Sequence, residues 1–186
     1  DWSSDVCSSD LFYDGSDMYK NDKTNGSRGF EVSSIYKNKN WHVTASYSFY
    51  TTAGKETIDD YSASQGKNFL LAFPNHKVNL SVNYALSERV SLRCAHTLLG
   101  ERQAYAGTDA NGNEMFKTFP LTHIANVSCR FKNVMVYGMN AEIGINNLLD
   151  TEIVYIQPYK TNHGPLPGTS REVHVTLLYN FNFHNQ

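Results

Sequence analysis

Residues 172–183 read Glu-Val-His-Val-Thr-Leu-Leu-Tyr-Asn-Phe-Asn-Phe. Side chains of an extended strand alternate between two faces. Val173, Val175, Leu177, Tyr179, Phe181 and Phe183 therefore fall on one face, and Glu172, His174, Thr176, Leu178, Asn180 and Asn182 on the other. The run has the length a tilted strand needs to cross a bilayer, about 9–11 residues. The same alternation recurs upstream. Strands are predicted at 28–36, 41–50, 76–86, 90–99, 119–131 and 134–146, which with 172–183 makes seven. Trp41, Val43, Ala45, Tyr47 and Phe49 alternate with His42, Thr44, Ser46, Ser48 and Tyr50, the cleanest case after the last run. His96 interrupts the apolar phase of 90–99. No stretch has a convincing helical period.

Spacing adds an architecture. Short turns at 37–40, 87–89 and 132–133 alternate with long polar connections at 52–75, 100–118 and 147–170. Membrane barrels have short turns at one rim and long loops at the other. A soluble sandwich has shorter strands and more frequent turns. The polar phase carries Asn, Lys, Arg and Glu at mid-strand, which suits a wet lumen. Tyr36, Trp41, Phe49, Tyr84, Phe119, Phe131, Tyr179 and Phe183 lie near strand ends, as interfacial girdles do. The expected fold is all-β: an antiparallel up-and-down transmembrane β-barrel, present as an open partial barrel of about seven strands.

Composition changes this little. The 186 residues are 40% hydrophobic and 13% aromatic, with 12 Tyr and 10 Phe. No apolar run is long enough for a transmembrane helix, and no secretory signal peptide is visible. Residues 1–11 have no period and resemble the conceptual translation of a sequencing-adapter primer. They are set aside as an artefactual tail, leaving 12–186 as the domain. Without Asp1, Asp5 and Asp10 the chain has 15 acidic and 16 basic residues, a net +1 in place of −2. Neither value argues for nucleic acid. Cys94 and Cys129 have no metal-binding spacing and fall on the apolar phase. They read as small lipid- or core-facing residues, with a cross-strand disulfide as the other reading.

No catalytic motif, phosphate loop or metal framework is present, so the chain reads as a non-enzyme without a cofactor. The seven His are scattered, no two at ligand spacing on one strand; His76 and His174 read as structural or lumenal. Arg93, Arg130 and Glu142 share the polar phase of three consecutive strands. Either they form a solvated lumenal network, or they touch whatever fills the lumen. Ligand contacts are expected on the long loops, which carry recognition on rigid scaffolds. The candidates are Tyr61, Phe69 and Phe73 on the first, Tyr105 and Phe116 on the second, and Tyr155, Tyr159 and His163 on the third. For each, packing within its own loop is the competing reading.

Several stretches resemble the C-terminal part of a TonB-dependent outer-membrane receptor. They are Arg28-Gly29-Phe30-Glu31, then Tyr47-Ser48-Phe49 followed by Pro74-Asn75-His76-Lys77-Val78-Asn79-Leu80, and Gly100-Glu101-Arg102. Asn146-Asn147-Leu148-Leu149-Asp150 is the most specific, and the residues 165–171 and Tyr179-x-Phe181 complete the order. The chain departs from the family's terminal aromatic, because three residues follow Phe183. The resemblance implies a bacterial outer-membrane location and import of a scarce ligand: an iron–siderophore, cobalamin or a glycan. It also implies lipid around the barrel, an N-terminal plug and TonB as partners, and about 22 strands in the whole barrel. Competing readings are a passive pore or adhesin barrel, and a secreted glycan-binding β-sandwich.

Overall fold

A computed structural model describes residues 25–161 and 163–180, and the backbone of 12–13 and 19–20. Seven strands form the wall: β1 (Arg28–Lys37), β2 (Trp41–Thr51), β3 (His76–Ala85), β4 (Val90–Leu99), β5 (Thr122–Phe131), β6 (Met139–Asn146) and β7 (Glu172–Tyr179). They make one antiparallel sheet in which each strand pairs with its neighbours in sequence, from β1 at one edge to β7 at the other. The sheet is an open up-and-down meander, as expected.

Register keeps the two phases separate across the whole wall. One row runs Tyr36, Val43, Val82, Cys94, Val127, Ile145 and Val173. The next row runs Lys37, His42, Asn83, Arg93, Ser128, Gly144 and His174. A slip of one residue on any strand would exchange the rows, so the pattern fixes the pairing. Cys94 and Cys129 are free and lie on the apolar phase.

Among the described residues nothing covers that apolar phase. Val32, Tyr36, Val173, Val175 and Leu177 are all more than half exposed. The buried apolar residues are Ile58, Phe69, Leu71, Ala104 and Val154, and none of them belongs to the seven wall strands. A sandwich would bury one phase against a second sheet; here, among the described residues, the buried apolar side chains all lie in the loops and the hairpin.

Several expected boundaries are corrected. The fifth wall strand begins at Thr122, not at 119, because Phe119 ends a separate hairpin. That hairpin pairs Arg102–Thr108 with Glu114–Phe119 and occupies the connection read as irregular. The sixth strand begins at Met139, not at 134. Positive φ angles at Asn133 (53°), Met135 (61°) and Gly138 (88°) bend residues 133–138 out of the extended state before the strand can start. The first long loop holds a single 3₁₀ turn, Asp59–Tyr61, and the third a small pairing of Val154–Tyr155 with Leu166–Pro167. Residues 14–18 and 21–24, and the end of the last predicted strand at Phe181 and Phe183, lie outside the described residues.

Candidate functional site

The long loops at one rim pack into a single body. Leu71, fully buried, and Phe69, 5% exposed, fill the centre of the first loop. Tyr50 at the end of β2 organises that loop: its hydroxyl donates to the Phe73 carbonyl (3.0 Å) and accepts from the Leu70 amide (3.1 Å). The hairpin then docks on the first loop through Gln103. The Ser64 amide donates to its side-chain oxygen at 3.0 Å, and the Ala72 amide to its carbonyl at 2.9 Å.

Two cations join the third loop. Lys160 reaches Asp59 of the first loop at 2.9 Å and Glu114 of the hairpin at 2.5 Å, with its side chain only 9% exposed. Burial works against its charge, but the bonds to Glu114 and Asp59 outweigh that and hold its pKa above the ordinary lysine value. Arg102, 7% exposed, donates to the Val154 carbonyl (3.4 Å) and the Thr122 hydroxyl (3.3 Å). Its Nε has no partner among the described residues, and burial lowers its pKa. At the hairpin tip Asp109 accepts amide hydrogen bonds from Asn111 and Asn113. Its carboxyl pKa falls below the usual range, chiefly through Asn113.

The Asn146–Asp150 motif anchors the third loop to the wall. Asn147 is 2% exposed with φ of 50°. Its amide donates to the Asn126 side chain at 2.8 Å, and its own side chain closes a turn by donating to the Thr151 carbonyl (2.8 Å) and accepting from the Thr151 amide (3.0 Å). Asp150 accepts the Arg171 amide at 3.1 Å, so the loop's exit is held to its entry.

Between the hairpin and the third loop lies a pocket of about 280 Å³ lined by Tyr105, Ala106, Gly107, Lys117, Thr161, His163, Gly164 and Pro165. It brings together two of the sequence candidates, Tyr105 and His163. Phe116 backs Tyr105 edge-on at 6.0 Å. The remaining candidates stand apart from it. Phe69 is in the loop core with Lys67 Nζ 5.9 Å from its ring centroid, and Tyr61 sits on the 3₁₀ turn. Phe73 and Tyr155 are exposed elsewhere on the loops, and Tyr159 is half-buried. Lys117 was not singled out in the sequence. Only the hairpin register, which pairs it with Ala104, places it at this pocket.

The polar phase of the wall holds the second cluster. Arg130 Nε and Nη2 both donate to Glu142 Oε2, at 3.0 and 2.8 Å. Arg93 lies two rows away, the next position on the same face, and lines a pocket of about 200 Å³ with Ser128, Glu142 and His174. Gly144 makes room there, since a Cβ at that position would stand 2.4 Å from the His174 ring. The structure thus gathers Arg93, Arg130 and Glu142, with His174 added. Nearer the short turns the same face opens into a cleft of about 870 Å³ that includes Lys132, Tyr137, Thr176 and Leu178.

No family model matches the chain, and no curated protein matches it. Solved structures do. The ferric-catecholate import receptor Fiu of E. coli K12 superposes with a TM-score of 0.65 at 19% identity, over 93% of this chain and 23% of that one. The chain has the fold of part of such a β-barrel. The siderophore receptor PirA of Acinetobacter baumannii gives 0.63 at 17% identity, over 88% of this chain and 23% of its own. The ferripyoverdine receptor of Pseudomonas aeruginosa gives 0.64 at 11% identity, over 83% and 19%. The chain therefore spans about a fifth of the length of the receptor chains it matches.

Proposed function

We propose that this chain is part of the wall and outer loops of a bacterial outer-membrane receptor that imports a scarce ligand with energy drawn through TonB. The carrying observation is the single seven-stranded meander with a bare apolar phase and a polar phase of buffered charge. Lipid satisfies the first phase and a filled, wet lumen the second. Among iron chelates, cobalamin and glycans, an iron chelate is favoured, because the similar barrels are named for ferripyoverdine and ferric catecholate.

In this reading the long loops face outside and the pocket at Tyr105, Lys117 and His163 contacts the ligand. Tyr105 offers an aromatic face, Lys117 a positive charge and His163 a ring nitrogen. A ferric chelate with anionic or aromatic groups suits those partners. Arg93, Arg130 and Glu142 face the plug that occupies the lumen.

The test is binding of a panel of ferric chelates to the complete receptor in detergent, followed by intrinsic fluorescence. Substituting Tyr105→Ala together with Lys117→Gln should weaken the preferred chelate by at least about tenfold, roughly 1.4 kcal/mol. Unchanged affinity would remove the pocket from the proposal. Failure of every chelate to bind, with an oligosaccharide binding instead, would replace the ligand class.

A further inference from the structure

The apolar phase of the wall carries one feature that lipid contact does not call for. His96 on β4 pairs with Ala125 on β5, and His123 on β5 pairs with Leu98 on β4, so the two imidazoles are diagonal neighbours on that face. His96 Nε2 and His123 Nδ1 stand 3.3 Å apart, with the rings inclined by 22°. Polar groups against hydrocarbon are costly, and two of them placed side by side need a reason.

Two nitrogen ligands of a tetrahedral zinc, at about 2.0–2.1 Å from the metal, are separated by about 3.3 Å. The pair already has that spacing. Both residues sit within ladder-paired strands, and the Thr151 hydroxyl donates to the His123 carbonyl at 2.6 Å, which further fixes the backbone at that end. His123 is the second residue of β5, and His96 lies three residues before the end of β4. At about 3.3 Å per residue both are within about 10 Å of the long-loop rim, where water and ions reach.

We propose that His96 and His123 form a two-imidazole site for a borderline divalent metal ion, Zn²⁺, Ni²⁺ or Cu²⁺, on the outer face of the wall. Imidazole donors suit these ions. In the metal-free state the two ring nitrogens share one hydrogen bond. Binding moves that bridging proton to the far nitrogen of its own ring, through solvent, and a small rotation about each χ2 turns both lone pairs toward the ion. No third His, Cys, Asp or Glu joins them among the described residues, so water completes the coordination. Such a site exchanges its ion, unlike a closed four-ligand structural zinc. The bound ion would clip β4 to β5. The inference does not rest on the transport reading and survives its failure.

The test is a Zn²⁺ titration of the complete chain in detergent by calorimetry, with Cu²⁺ as a spectroscopic probe. The expected result is one saturable equivalent and a Cu²⁺ resonance spectrum split by two nitrogens. H96Q and H123Q should each abolish the equivalent, while H42Q, on the opposite phase, should retain it. Strand content by circular dichroism confirms that each variant folds, and either variant alone suffices should the other fail. Binding by H96Q and H123Q that equals the parent's, or no saturable binding by the parent, would overturn the site.

Discussion

At the scale of single residues, the loops are held by a few side chains whose partners are far away in sequence. Lys160 and Asp59 are 101 residues apart, so no local pattern signals their contact. Lys160→Met should release three loops at once. The partners are partly exposed, so the cost is about 1–2 kcal/mol, and limited proteolysis should show faster cutting in 52–75 and 147–170. The pH dependence follows from the raised pKa. The tie contributes fully below the ordinary lysine value of 10.5 and is lost as pH rises through the higher folded value. Loop protection should therefore persist up to pH 10.5 and fade only above it. Asp109 has the opposite sign: its lowered pKa gives a contribution present above the ordinary value of 3.8 and lost as pH falls below it. The Asn146–Asp150 string was legible as a motif, but not its work. That Asn147 is buried with positive φ and ties β5 to the third loop needed the coordinates. Asn147→Ala removes its side-chain bonds to Thr151, and should cost about 1–3 kcal/mol by chemical denaturation.

At the scale of elements, alternation located the wall strands well, and it failed where backbone conformation overrode it. Val134, Val136 and the residues between them continue an apolar run, yet the left-handed residues around them make a turn. The hairpin inside the second long connection was hidden for a different reason. Its Gly107, Asn111 and Gly112 read as loop formers. Asn111 and Gly112 do form its tip, whereas Gly107, with φ of 99°, lies inside the first arm where the register shifts between Tyr105 and Thr108. The pocket at Tyr105 and His163 was half legible for the same cause, since Lys117 enters it through that hairpin's register. The two phases of β7 make a sharp comparison. Val175→Arg, on the apolar phase, should destabilise the inserted barrel by up to about 2–4 kcal/mol, whereas Thr176→Arg, on the polar phase, should cost well under 1 kcal/mol. Equal costs in a detergent-to-urea unfolding series would mean that lipid does not meet the apolar face. Gly144→Val should expel the His174 ring from its niche and open the Arg93 side of the polar cluster. A shifted His174 resonance would report it.

At the scale of the molecule, the described wall is a sheet with two free edges. β1 has no partner on one side and β7 none on the other. In hydrocarbon those amides and carbonyls have nothing to bond. Residues 12–186 expressed alone should therefore associate through their edges in detergent, and a mass by light scattering well above one chain is the expected outcome.

The loops have what the wall does not. Ile58, Phe69, Leu71, Ala104 and Val154 give them an interior of their own, and Lys160 and Arg102 stitch it together. Such a cap can keep its shape on a borrowed scaffold. Grafted onto an unrelated barrel rim of matching strand spacing, it should fold as it does here, and if the proposed function holds, whatever specificity it has becomes a transplantable module.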